Sequence, residues 1–210
     1  PEQGFVLGRR FAHPIMRIAF EAPQGFTLTN SPQAILLSGP DGLRGEFGGG
    51  AMPSGRLDLY VQALAEQVVG RGQAQARAVP GSVNGLPTLL VELRLQAQQG
   101  VVPLSIAAYD AGGGQAYHFV MLSPPQRPSR ELIAQLFQSF RTLSPAQAAQ
   151  LRPRVIRTVQ VQPGQTVQSL AARMADANPR DLFLLLNGKP ADAALRPGER
   201  VKIVTWADQR

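Results

Sequence analysis

The chain has no cysteine, two histidines and a single tryptophan. The first absence excludes disulfides and thiol catalysis and leaves the redox compartment open, since a cysteine-free protein works in either. His13 and His118 stand about a hundred residues apart, and no H-E-x-x-H or clustered Cys/His pattern occurs. No metal site is therefore expected within these residues. Long hydrophobic runs are also missing: no window approaches the roughly 18 apolar residues of a membrane-crossing helix, and no basic-then-apolar leader opens the chain. Pro1 is not a native start, so an N-terminal portion is expected to be missing from this sequence. Serines occur without a G-x-S-x-G nucleophile elbow. The glycine-rich "EFGGGAMPSG" lacks the Lys-Ser/Thr step of a phosphate loop and reads as a connection between elements.

What is present is the composition of a folded chain: 210 residues, 44% hydrophobic and 17% charged, enough for one large domain or two small ones. The net charge of +7 is unevenly placed. Residues 1–140 hold ten Arg against nine Asp/Glu, whereas residues 141–210 hold eleven Lys/Arg against five Asp/Glu. The basic tail region suits either a solvated surface or an anionic polymer or membrane surface. No aromatic-basic stacking pattern accompanies the charge, so nucleic acid is not an expected partner.

The first 140 residues predict mixed α and β. "MRIAFEAP", "QGFTLTN" and "QAILLSGP" read as short strands punctuated by Pro and Gly turns. "RLDLYVQALAEQVVG" predicts a helix with Leu57, Tyr60, Leu64 and Val68 at helical spacing, Gly70 as its stop and Ser54 or Asp58 helping at its start. "RAVPGSVNGLPTLLVELRLQ" predicts two strands about an "NGLP" turn, and "VVPLSIAAYDAGGGQAYHFVMLS" a hairpin turned by its glycines. "SRELIAQLFQSFRTLS" predicts a second helix, capped by Ser129, with an apolar stripe of Leu132, Ile133, Leu136 and Phe140. Strands, a helix, four strands and a helix describe an antiparallel sheet with helices packed on it. Chemistry is sparse. His13 is expected in a turn and His118 on a strand, facing solvent or hydrogen-bonded. Asp110 and Glu92 are single carboxylates at strand ends without a partner for acid–base work. No catalytic residue is assigned.

Ser144-Pro145 starts a short Ala/Gln-rich helix that ends before Arg152-Pro153. After the strand "VIRTVQV", Pro163-Gly164 makes a turn and Thr166 caps a helix whose face is Val167, Leu170, Ala171 and Met174. "NPRDLFLLLNG" gives a second helix, with Leu182, Leu185 and Leu186 inward and Asn187-Gly188 as its stop. "ALRPGERVKIVTW" adds a Pro-Gly turn and a strand bearing Val201, Ile203 and Thr205, with Trp206 past its end. The order is β-α-α-β. The expected division is 1–143, a linker with a short helix at 144–154, a second domain at 155–205, and a tail at 206–210.

Three resemblances bear on these patterns. The early "P-x-G-F" and closing "L-x-x-S-F-R" over residues 11–143 resemble the PsbP-like α/β sandwich, which implies a binding or assembly module. "PGQT", "SLAARM", "LLNG" and "LRPGERVKIV", in that order, resemble a LysM domain over about 155–205. That resemblance implies binding of N-acetylglucosamine-containing glycans such as peptidoglycan or chitin. Gly164, Gln165, Thr166 and Val167 would line one side of the groove, and Asn187, Gly188, Lys189 and Pro190 the other. Gln165 stands where the family usually has Asp, keeping hydrogen-bonding capacity but losing the charge. Together, "GFVLGRRFAHPIMRIAFEAPQGFTLTNSPQAI", "SFRTLSPAQAAQLRPRVIRTVQVQPGQTVQSLAARM" and "FLLLNGKP" resemble the C-terminal region of bacterial gluzincin zinc metallopeptidases, which include the BepA-like and CaaX prenyl proteases. The zinc-binding helix of that family is absent here. The resemblance therefore implies a non-catalytic accessory region in the periplasm or cell envelope. Its zinc and its protease domain would lie outside these residues, and it carries no cofactor of its own. The alternative is a structural or protein-interaction region that no longer binds glycan.

Overall fold

A computed structural model describes residues 4–70, 77–98, 100–124, 129–152 and 154–207. They divide into two compact units, residues 1–148 and 149–210.

Unit 1 opens with three short antiparallel strands, β1 (Phe5–Leu7), β2 (Arg10–His13) and β3 (Ile18–Glu21). Strands β4 (Thr27–Asn30), β5 (Ile35–Ser38) and β6 (Arg44–Ala51) follow, then helix α1 (Leu57–Val69). After it come β7 (Arg77–Val83), β8 (Leu86–Ala97), β9 (Gly100–Asp110) and β10 (Gln115–Leu122), then helix α2 (Arg130–Gln138) and the two-residue β11 (Arg141–Thr142). Among the described residues β4 to β10 form one antiparallel sheet in the order β4-β5-β6-β10-β9-β8-β7, and β11 pairs with β3 to extend the small sheet β1-β2-β3. The architecture is α+β.

Alternation along β9 and β10 sends their side chains to two cores. On one face Val91, Leu93, Leu104, Ile106, Ala108 and Val120 pack with Val61, Ala65 and Val69 of α1. The sequence stripe of α1 is therefore its flank: Leu57, Tyr60, Leu64 and Val68 are half-buried beside the true inner line. The opposite face carries Phe47, Tyr109, Tyr117 and Phe119, packed with Phe11 and Phe20 of the small sheet and Leu136, Phe137 and Phe140 of the α2 region. Ring centroids there lie 4.4 Å apart for Tyr109–Phe140 and 4.9 Å for Phe20–Phe119. The buried Tyr109 hydroxyl donates to the Phe137 carbonyl at 2.7 Å.

The NG turn behaves as its composition predicts. Asn84 and Gly85 both take positive φ (49° and 79°), the pairing that matches hairpin twist. The Asn84 amide then donates to the carbonyls of Gln138 and Phe140, at 3.1 and 2.7 Å, tying the hairpin to the end of α2.

Several expectations need correction. "EFGGGA" is not a connection: it is most of β6, paired with β5 and β10 near the middle of the large sheet. Its glycines are required by bulk next door, since a Cβ on Gly49 would lie 2.6 Å from the Tyr117 ring, and one on Gly45 would collide with Val120 and Met121. Ser54 helps at the start of α1, its Oγ accepting the Arg56 N–H at 3.3 Å, but it is not the cap residue. Arg56 holds the cap position without a side-chain bond, and Asp58 instead pairs with Arg56. Ser129 sits at the α2 cap position, but its side chain makes no capping bond. Glu92 lies inside β8 rather than at an end.

In unit 2, β12 (Arg154–Gln160) pairs antiparallel with β13 (Arg200–Trp206). Between them run α4 (Val167–Ala171) and α5 (Pro179–Asn187), preceded in the chain by α3 (Pro145–Gln150). Val161, Val167, Leu170, Ala171, Met174, Phe183, Val201 and Ile203 form the core. Leu185 is not inward but 78% exposed; Phe183, fully buried, takes that place in α5. Trp206 is the last residue of β13 rather than a tail residue, and 47% of its surface is exposed.

Candidate functional site

The residues expected to form a groove stand on two turns of unit 2. Gln162 to Gln165 close the first, with the Gln165 N–H donating to the Gln162 carbonyl at 3.1 Å. The Gln162 N–H in turn donates to Gln165 Oε1 at 2.9 Å. Gly164 supplies the positive φ of 81°, and nothing stands within 4 Å of where its Cβ would be. Thr166 then starts α4 with a reciprocal capping box. Its hydroxyl accepts from the Ser169 N–H at 3.1 Å, while Ser169 Oγ accepts from the Thr166 N–H at 2.9 Å. Val167 points into the core.

The second turn is anchored more heavily. Asn187 Nδ2 donates to the Phe183 carbonyl at 2.8 Å and to the Lys202 carbonyl at 2.9 Å. Its Oδ1 accepts from the Lys202 N–H at 2.7 Å. One amide thus pairs with β13 as a neighbouring strand would, and its two donors and its acceptor are engaged. Gly188 ends α5 in left-handed geometry with φ 57°. Lys189 Nζ donates to Glu199 Oε1 at 2.6 Å. The Lys189 ammonium first, and then the Arg196 N–H, hold the Glu199 carboxyl below its usual range. The Pro190 carbonyl accepts from Ala193 at 3.1 Å. Both turns meet the same segment, because the Glu199 carbonyl accepts from Val161 and the Gly198 N–H donates to the Val161 carbonyl, each at 2.8 Å. The side chains of Thr166, Asn187 and Lys189 therefore serve internal bonds. Gln165 keeps its NH2 group without a hydrogen-bond partner among the described residues.

Unit 1 holds two features that the sequence conceals. His118, 8% exposed, projects from β10 toward α1, where Tyr60 Oη lies 2.6 Å from its Nδ1. Gly48 and Gly50 leave room for this pair: a Cβ on Gly48 would stand 3.3 Å from the His118 ring, and one on Gly50 3.4 Å from the Tyr60 ring. Burial lowers the His118 pKa to about 4 and pushes the Tyr60 hydroxyl up to about 12.

The second feature is a two-lobed cleft on the other face. Its apolar lobe, about 260 Å³, is floored by Phe11, Phe47 and Tyr117, with Ile18 and Ile35 beside them. An adjoining lobe of about 320 Å³ is lined by Arg17, Gly112, Thr142 and Leu143. Met16, Gln115 and Tyr117 line both. His13 lines the apolar lobe as well. It is buried at the end of β2 rather than set in a turn, and its Nδ1 accepts the Met16 N–H at 3.1 Å. Alternation in "AYHFVML" separates Tyr117 from His118, but the partners across each face come from distant strands and leave no local signal.

No family model and no curated relative matches the chain. Among solved structures it is similar to the solution structure of cyanobacterial PsbP (CyanoP) from Synechocystis sp. PCC 6803. That likeness has 15% identity over 63% of this chain and 91% of the other, with a TM-score of 0.49. It is also similar to a crystal structure from Bacteroides thetaiotaomicron VPI-5482, at 9% identity over 75% of this chain and 55% of that one, with a TM-score of 0.47. Neither carries a function across. Activity, ligand and partner must be argued from this chain's own residues.

Proposed function

We propose that the chain is a non-catalytic accessory region of a cell-envelope zinc metallopeptidase. Unit 2, read as LysM-like, would hold the protease near peptidoglycan or another N-acetylglucosamine-containing glycan, and unit 1, read as a PsbP-like sandwich, would serve as an assembly module. Zinc and the catalytic machinery belong, on this reading, to a domain outside these residues, and the setting is the periplasm or cell envelope. The observation that supports the glycan reading is the pair of pre-set turns. Gly164 leaves open space beside Gln165, and the turn at 187–190 is fixed by Asn187 and Lys189. A ligand meeting turns already held in place loses little to ordering them.

Titration of the full chain with chitooligosaccharides, followed by amide NMR shifts, tests this. Shifts are expected at Gly164–Val167 and Asn187–Pro190. A titration without saturable shifts at those positions removes the glycan assignment.

One observation favours a second reading. Because Thr166, Asn187 and Lys189 spend their polar side-chain groups inside the unit, the turns can be fold elements of a protein-interaction module. Binding to a purified parent protease domain, without glycan shifts, would select that reading.

A further inference from the structure

The geometry points to a second binding site, in unit 1, for a small amphipathic monoanion: an apolar or aromatic body bearing one carboxylate or similar head. The two lobes, about 260 and 320 Å³, stand at the lower end of the roughly 300–1,000 Å³ typical of small-molecule sites, and they differ in chemistry as the two ends of such a molecule do. One is floored by the rings of Phe11, Phe47 and Tyr117, where burying a hydrocarbon or aromatic body is favourable. The other contains Arg17, which makes no ion pair among the described residues.

Charge settles which end goes where. No Asp or Glu lines either lobe, and no Lys or Arg lines the apolar one. An ionised head placed over the rings would lose its hydration with no cationic Lys or Arg beside it, which is unfavourable. Placed in the second lobe it lies beside Arg17, a residue whose planar guanidinium fork suits a carboxylate. The shared wall supplies polar contacts between the two ends. Tyr117 lines both lobes, and its hydroxyl has no hydrogen-bond partner among the described residues. Arg17 itself is held at φ 52°, an uncommon conformation for a residue with a side chain, and its carbonyl accepts from the Leu143 N–H at 2.7 Å. The cation is therefore presented from a backbone fixed on the cleft's edge.

The test uses the full chain and anilinonaphthalene sulfonate, an aromatic monoanion whose fluorescence reports entry into an apolar site. Saturable binding is expected, displaced by decanoate about tenfold more effectively than by decanol, the equivalent of one favourable charge contact. Arg17→Gln is expected to weaken decanoate about tenfold and leave decanol within about twofold. Ala34→Phe keeps the backbone bonds of its turn and fills the apolar lobe, so it is expected to abolish displacement by both, with circular dichroism unchanged. Equal displacement by decanoate and decanol in the native chain would overturn the proposal. So would unchanged affinity in Arg17→Gln, or ligand-induced amide shifts confined to unit 2. Because the glycan titration reads unit 2 and this one reads unit 1, either reading can fail alone.

Discussion

Replacing Asn187 by alanine separates a structural role from a ligand role at the residue where the two compete. The native amide makes three hydrogen bonds, two of them to the outer edge of β13 at Lys202 and one to the α5 carbonyl of Phe183. A typical net contribution is about 0.5–1.5 kcal/mol each. Asn187 is half-buried, so water can replace part of what alanine removes, and the lower half of that range applies. The sum is about 2 kcal/mol. For a unit of this size, 1 kcal/mol moves the midpoint by about 4–8 °C, so Asn187→Ala is expected to melt roughly 8–16 °C lower. The chain carries its own reporter. Trp206 is its single tryptophan and lies on β13, so its emission follows unit 2. A midpoint within about 2 °C of the native chain would refute the strand-edge role. If glycan affinity fell in that same variant, Asn187 would be a ligand contact instead.

Two further outcomes follow from unit 1. Gly49→Ala drives a methyl toward the Tyr117 ring and is expected to cost about 1–3 kcal/mol. Gly81→Ala, with open space at its Cβ, should change the urea midpoint little. His118 gives a pH signature with a definite sign. Its folded pKa of about 4 lies below the ordinary 6.5, so the unfolded chain alone takes up the proton between those values. The favourable balance is present above pH 6.5, falls as pH drops, and is lost below about pH 4, a span of about 3 kcal/mol. Urea midpoints measured from pH 7 to pH 4 should fall less steeply in His118→Gln. Parallel slopes would show that the histidine is not held neutral.

The elements whose evidence was local were legible in the sequence. Asn84-Gly85 and the glycines at 112–114 announce hairpins because positive φ is a property of the residues themselves. Thr166 announces α4 because its capping partner is three residues away. What was hidden depended on neighbours far along the chain. β6 shows no hydrophobic alternation because its side chains are displaced by those of β10 and α1. Leu185 and Phe183 trade places because a leucine-rich helix does not state which side its sheet lies on. The cleft joins a turn after β2, the β4–β5 turn and the start of β10, with no spacing rule to connect them. At the predicted groove, residue identity was readable but hydrogen-bond partners were not. Asn187 suits both a ligand and a strand edge, and its bonds to Lys202 reach fifteen residues along the chain, where no local pattern announces them.

The glycines of β6 also tie positions together. Gly49 faces the Tyr117 ring and Gly45 the Val120 carbonyl and Met121, whereas Gly48 and Gly50 leave 3.3 and 3.4 Å to His118 and Tyr60, so the imprint of a bulky side chain is deepest at Gly49. Variation on either side of such a couple is bound to the other: a residue larger than glycine at 49 becomes acceptable only when the ring at 117 shrinks. The strand with the least chemistry of its own is thus the one whose sequence is most completely written by its neighbours.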